Sequence, residues 1–567
     1  MAARWSAARW IERVRAIGVE RAITLAVLAV AAVALAAPLA TVRWLPFVDY
    51  PQHLGTIAAI HGQGDPTFDR YFVVEYARSQ YLLLYWLGDW LAYPFGVEGA
   101  GRATAILSIA TLPLAVALLL HVHRRPALGG ALAAPIALHA YVFWGFLNYA
   151  AGMVLALVAV AMAARVARRP DARTALALAL AALATFYAHA QLYAWMGIAC
   201  VVQLAVMAPS LGRARALRAA GWSIGAALPS VFGVIAWLRM SDVIEHGEAG
   251  SRSGHAAEVA AAGGAPSFMP AADTARAWLS HSFDVYRDGT GIDVAIAFFA
   301  AALVWVALRG LAAAPRDEVT ATVVGAERPA RWPWLARLLA RAPDPGMPQT
   351  LAPEAILVAT FALYLFAPFS YRLIEPINHR FLPLALALLP VLGPRGPLRM
   401  PARIAASALA IALAVGTAQA HAARFGETDR EMGDLALALR ETQPGQRLLG
   451  LIYDPQSEVV PLAVYMHAHQ YYQARVGGLA CFSFVEFPKS PVQYAEGAAP
   501  PPFPPRFEWT PQRYDHAVWG DSFDYWLVRH AIGRRPGSIF RARAPSGAPA
   551  PVPVYEGDRW TLYAVPR

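Results

Sequence analysis

Lysine is almost missing from this chain. Lys489 is the only one, so nearly all of the 48 basic residues are arginine. Charge as a whole is scarce: 15% of the 567 residues are Asp, Glu, Lys or Arg, against 57% hydrophobic and a mean hydropathy of +0.39. Soluble domains carry about 25% charged residues, so a water-soluble globular class is excluded. Cysteine is also scarce. Cys200 lies in an apolar run and Cys481 in the polar tail, which excludes a disulfide framework or a thiolate metal site. The formal charge of +10 does not point to nucleic acid. The arginines fall in short clusters between apolar runs, where orientation signals of membrane proteins lie.

What the chain has instead is long apolar runs. A run of about 20 apolar residues crosses a bilayer. The runs predict an α-helical multi-pass membrane protein with about eleven transmembrane helices, near 22–42, 102–122, 127–147, 149–167, 174–189, 191–208, 219–238, 291–309, 353–369, 381–394 and 402–420. The first is taken as a retained helix, preceded by Arg4, Arg9, Arg13 and Arg15. Tyr81–Val97 is apolar but holds Asp89 and many aromatics, and reads as an interfacial helix rather than a span.

Arginine asymmetry sets the expected orientation. With the N-terminus inside, the inner loops hold Arg124 and Arg125, Arg165 to Arg173, Arg213 to Arg218, Arg328 to Arg341 and Arg395 to Arg403. The opposite turns near Asn148 and His189 hold none, and the loop 240–290 has seven Asp or Glu against three Arg. This places the outer loops at 43–101 and 240–290, and the tail outside. The membrane module then covers 1–420 and a small soluble α/β domain covers 421–567. In that tail, 447–453, 525–528 and 560–565 read as buried strands, Asp429–Arg440 as an amphipathic helix, and the Pro-rich 497–511 as a loop. The tail shows no chemistry of its own.

The polar residues collect at one face. Asp49 and His53, in Phe47-Val-Asp-Tyr-Pro-Gln-His-Leu54, follow the first span at a spacing that shares one helical face. Asn148 lies between the third and fourth spans, and His189 and Gln191 between the fifth and sixth. Tyr371, Arg372, Glu375, Asn378, His379 and Arg380 precede the tenth. Polar side chains near membrane depth cost free energy unless paired or facing a cavity, so these point to one polar outer cavity. Each has a plainer reading. Asp49 could cap the helix that starts at Tyr50, with Pro51 in its first turn. His53 and His189 could be structural, Arg380 an interfacial anchor, and Asp242, Glu245 and His246 solvated loop.

This pattern resembles the C-type (GT-C) glycosyltransferases, polytopic membrane enzymes with bacterial members. Asp49-Tyr-Pro-Gln-His53 looks like their first-loop acidic motif, and Ile377-Asn-His-Arg-Phe381 before Leu382-Pro383 is similar to Arg-Phe/Tyr patterns ahead of their late spans. The resemblance covers 1–420. This chain departs from the pattern in having one Asp rather than a pair, which leaves a divalent metal cofactor open. The resemblance implies sugar transfer from a polyprenyl-phosphate-linked donor to an unidentified acceptor at the outer face of the inner membrane. Asp49 would be the general base. Arg380, with His379 or His189, would stabilise the leaving phosphate, with His53, Gln191 and Asn378 also on the substrate. Tyr50 and Trp86 could stack on a sugar ring. The implied partners are the lipid bilayer, the donor and the acceptor, with no nucleic acid. Two rival readings are a transporter or flippase of lipid-linked or envelope components, and a non-catalytic membrane scaffold.

Overall fold

The computed structural model describes residues 18–247, 265–311, 351–371, 375–487, 490–504, 506–537 and 539–566. Arg4 to Arg15, Arg328 to Arg341, Arg372 and Lys489 lie outside these residues, as does part of the loop 240–290; of Asp242, Glu245 and His246 only the backbone is described. Among the described residues seven helices are long and apolar enough to cross a membrane: Val19–Thr41, Leu83–Val122, Leu147–Arg168, Ala190–Leu211, Arg213–Met240, Thr290–Gly310 and Met400–Glu431. Four shorter apolar helices, Ala127–Leu138, Ala172–Ala188, Ala352–Phe366 and Asn378–Leu392, account for the remaining expected spans. The chain is a multi-pass α-helical membrane protein with a small C-terminal sheet unit.

Several elements differ from the sequence reading for local reasons. The third expected span, 127–147, is a 3-10 helix over Ala127–Leu138, a break at His139 and a short α-helix Ala140–Phe143. At about 2 Å per residue, its twelve residues still reach roughly 24 Å. The segment is buried from Leu128 to Leu138, and small residues let neighbours approach: a Cβ on Gly130 would lie 2.5 Å from the Ala117 amide and the Pro113 carbonyl. The helix Leu83–Ala110 breaks at Gly96 (φ 67°, ψ 169°), which separates an aromatic first piece from the span that follows. That piece exposes Trp90, Tyr93 and Phe95. The helix expected over Asp429–Arg440 is two pieces. Met400–Glu431 is one continuous helix of 32 residues, and the left-handed Gly433 (φ 66°) turns the chain into Leu435–Arg440.

The C-terminal unit is built on a five-stranded sheet of order β3-β2-β5-β7-β6. Its strands are β2 Gln446–Ile452, β3 Gly478–Ala480, β5 Tyr525–Arg529, β6 Val552–Glu556 and β7 Trp560–Ala564. β2 lies parallel to β3 and β5, and β7 antiparallel to β5 and β6. The largely buried runs β2, β5 and β7 match the expected strands. The edge strand β6 carries Pro553, tolerated at an edge because it has no amide to donate, and the sequence reading passed it over. A second, two-stranded sheet pairs β1 (Phe72–Val74) with β4 (Val492–Tyr494). It joins the segment after the first span to the C-terminal unit. The Asp429 carboxylate accepts the Trp44 amide at 2.6 Å and adds a second tie between them.

Candidate functional site

Asp49 sits where the first span hands over to the helix Tyr50–His61. The approach strand is pinned by two backbone bonds, Val48 N–H to the Phe143 carbonyl (2.9 Å) and Asp49 N–H to the Trp144 carbonyl (3.2 Å). Asp49 occupies the cap position, yet its side chain makes no cap bond. Its backbone is already helical (φ −90°, ψ 0°) rather than extended as capping geometry requires, and Pro51 has no amide to offer. The carboxylate is therefore left for something else. Its Oδ1 lies 3.5 Å from His467 Nε2, and 21% of the side chain remains accessible. Burial, with the charge of Glu508 adding, pushes its pKa up to about 7.

His53, one turn on, is held on both ring nitrogens. Nε2 donates to the Gly145 carbonyl at 3.0 Å, and Nδ1 accepts the Tyr85 hydroxyl at 3.1 Å; the tautomer is assigned from these partners. Burial lowers its pKa to about 4, so the ring is neutral. The structure thus places His53 against the turn Trp144–Phe146, one helical turn from Asp49.

The other expected residues gather around the segment Ile377–Arg380. Tyr149 donates its hydroxyl to the Arg380 carbonyl. The Arg380 guanidinium lies 4.7 Å from the centre of the Phe146 ring, and Nη2 donates to the Glu375 carbonyl at 3.0 Å. Its Nε has no partner. His189 packs 5.4 Å from both Tyr81 and Tyr149, ring to ring. Gln191 Nε2 donates to the Ile377 carbonyl at 2.7 Å, and Asn378 Nδ2 to the Tyr364 carbonyl at 3.1 Å. His379 stacks on His281 at 3.6 Å. Gln191 Oε1, Asn378 Oδ1, His189 Nδ1 and His379 Nε2 are buried without partners. Buried polar groups are ordinarily satisfied, so this wall offers unused donors and acceptors beside a cation.

The motifs in the sequence do not point to His467, Glu508 or Gly145. The tail is expected to hold no chemistry, yet its His467 faces Asp49 and the charge of its Glu508 acts on that carboxylate. Glu508 is carried by a 3-10 turn, Phe507–Trp509, inside the expected Pro-rich loop. Gly145, between Trp144 and Phe146, was the one legible hint: a glycine among aromatics marks a close backbone approach. Among the described residues no group of three or more His, Cys, Asp or Glu gathers in a way that could hold a metal. A polar cavity of about 370 Å³ opens elsewhere, beside Arg287, Glu431, Asp454 and Arg559, and none of the expected site residues lines it.

Comparison with known proteins places the architecture. No family pattern and no curated protein matches the chain. Among solved structures, the crystal structure of ArnT from Cupriavidus metallidurans bound to undecaprenyl phosphate aligns with a TM-score of 0.54 and 12% identity, over 99% of this chain and 98% of that one. The chain has the ArnT fold. The apo ArnT structure aligns over 96% and 98% with a TM-score of 0.51 and 13% identity. The ArnT likeness runs through membrane helices and C-terminal unit alike, so the polytopic architecture expected from the C-type resemblance is borne out along nearly the whole length.

Proposed function

We propose that the protein is a membrane glycosyltransferase that moves a sugar from a polyprenyl-phosphate-linked donor to an acceptor hydroxyl at the outer face of the cell membrane. One observation carries the reading. Asp49 is a carboxylate that caps nothing, remains partly open, and is tuned by burial to about 7. A general base works best with a pKa near the working pH. The fold adds that an ArnT structure with this architecture holds undecaprenyl phosphate, which supports a lipid-linked donor.

In this reading Asp49 takes the proton from the acceptor hydroxyl as the acceptor oxygen bonds to the sugar's anomeric carbon. The bond from that carbon to the phosphate oxygen breaks, and the polyprenyl phosphate leaves with the electron pair. Arg380 faces the developing charge, with His189, Gln191, Asn378 and His379 supplying polar contacts. His53 holds the turn between the two halves. The membrane module covers 1–420 and the extracytoplasmic unit 421–567, with the helix Met400–Glu431 as the joint, and the piece before Gly96 lies along the membrane surface. The N-terminus is cytoplasmic.

The test is lipid extraction from a strain lacking the gene. A polyprenyl-phosphate sugar should accumulate, and the parent protein but not Asp49→Asn should clear it. An unchanged lipid profile would overturn the reading.

A further inference from the structure

His467 belongs to the C-terminal unit, on the segment that follows β2, and it reaches Asp49 across the junction between that unit and the bundle. It is 7% exposed, with Nε2 at 3.5 Å from Asp49 Oδ1 and Nδ1 without a partner. The segment is fastened on both sides of it. Two residues earlier, the Tyr465 hydroxyl bonds the Thr428 carbonyl (3.1 Å) and the Glu431 carboxylate (2.6 Å) at the end of the helix Met400–Glu431. Two residues later, His469 Nε2 bonds the Cys481 carbonyl at 2.6 Å and its ring is wedged against Gly450, where a Cβ would lie 2.4 Å from the ring. Gln473 then donates to the Gly55 carbonyl at 2.8 Å, on the same helix that Asp49 precedes. The imidazole is thus placed by the fold.

We propose that His467 is a positioning residue for Asp49: its Nε2–H holds Oδ1, leaving Oδ2 to face the acceptor, so that the C-terminal unit completes the site. The inference rests on the reading of Asp49 as the base. A neutral imidazole has a single N–H. With no acceptor at Nδ1, that proton belongs on Nε2, facing the carboxylate. Burial, with His469 adding to it, lowers the His467 pKa to about 3, so the ring stays neutral at working pH. The charge state matters. A protonated imidazole at this distance would clamp Asp49 as an ion pair and remove its basicity; a neutral one orients it and only moderates the effect of burial. At 3.5 Å the contact is long, and contacts of this kind tighten when substrate fills the site. The other ionisable groups facing the pair are Glu508, Tyr85 and His53 on the Asp49 side and His469 on the His467 side. His53 is committed to Tyr85 and Gly145 and does not titrate near neutrality.

The experiment titrates Asp49 directly in the full-length purified protein. The infrared carbonyl band absent from Asp49→Asn reports its protonation, alongside transfer from the undecaprenyl-phosphate sugars of host membranes. His467→Leu removes the donor. His467→Gln returns an N–H near the Nε2 position, and His467→Asn near Nδ1. Expected are a wild-type midpoint near pH 7, an upward shift of about one pH unit in His467→Leu and His467→Asn, and a midpoint in His467→Gln within a few tenths of wild type. Transfer should fall about tenfold in the first two with donor KM unchanged. A midpoint unmoved by Leu, or Asn restoring it as well as Gln, would overturn the inference. Should His467→Leu fail to fold, the Gln and Asn pair decides alone. Full transfer by Asp49→Asn would overturn the base reading together with the inference, whereas an inactive Asp49→Asn beside an unmoved His467→Leu midpoint would overturn the inference only.

Discussion

Gly145 is pressed against Asp49 so closely that a methyl group on it would lie 2.5 Å from the Asp49 amide nitrogen and 2.7 Å from the Asp49 Cβ. Its φ of +91° is in the left-handed region, which a side chain would strain. Its carbonyl meanwhile accepts from His53. One glycine therefore fixes how near the turn Trp144–Phe146 comes to Asp49, and the Arg380 guanidinium rests on the ring of Phe146 in the same turn.

Gly145→Ala should displace Asp49 or the turn. Transfer is expected to fall by about a hundredfold or more, since a misplacement near 1 Å can cost that much. Stability should fall by about 1–3 kcal/mol from the strained backbone. Steady-state rates beside thermal unfolding in detergent check this; a variant with the parent's rate would show that the close approach is not used.

Asp49→Asn should lose about 10²–10⁴ of the transfer rate, the usual share of a general base. The wild-type rate should rise with pH through about 7 as the carboxylate loses its proton. The stability sign is opposite to that of an ordinary surface aspartate. The folded protein holds the Asp49 proton up to about 7, while the unfolded chain releases it near the ordinary aspartate value of 3.8. Between those values the folded state binds more protons, so this contribution to stability falls as pH rises. Asp49→Asn removes that loss and should melt higher than wild type at pH 8, with no such gain at pH 4. Thermal unfolding at the two pH values reads it; a variant less stable at pH 8 would show that burial does not disfavour the charge.

Arg380→Gln should raise donor KM by roughly 10–100-fold, the range expected when a charged hydrogen-bond partner is lost. Arg380→Lys should fall between, because it keeps the charge but not the planar fork over Phe146. Loss of the ring contact alone costs about 1 kcal/mol. If both variants lose activity only in proportion to the folded protein recovered, Arg380 is an anchor and not a donor contact.

A reporter that works only in the cytoplasm, fused after the C-terminus, should be silent, and one that works only outside should be active. The motive is the arginine bias of the loops between spans. Cytoplasmic activity would invert the orientation and move Asp49 to the wrong face for the proposed reaction.

The sequence by itself determined the membrane class, the apolar segments, and β2, β5 and β7 of the tail. Those signals are local: a run of the right length and apolarity needs no knowledge of its neighbours. It also brought Asp49, His53 and Arg380 forward, because polar residues at the ends of apolar runs stand out against so little charge. Whether Asp49 caps a helix or stays free could not be read there. That depended on its backbone angles, one dihedral well away from a normal cap. The commitment of His53 to Gly145 and Tyr85, the pairing of β1 with β4, the approach of His467 to Asp49 and the action of the Glu508 charge on it were decided by tertiary structure alone. Each joins groups far apart along the chain, and packing of the C-terminal unit onto the bundle, rather than any local propensity, sets such distances.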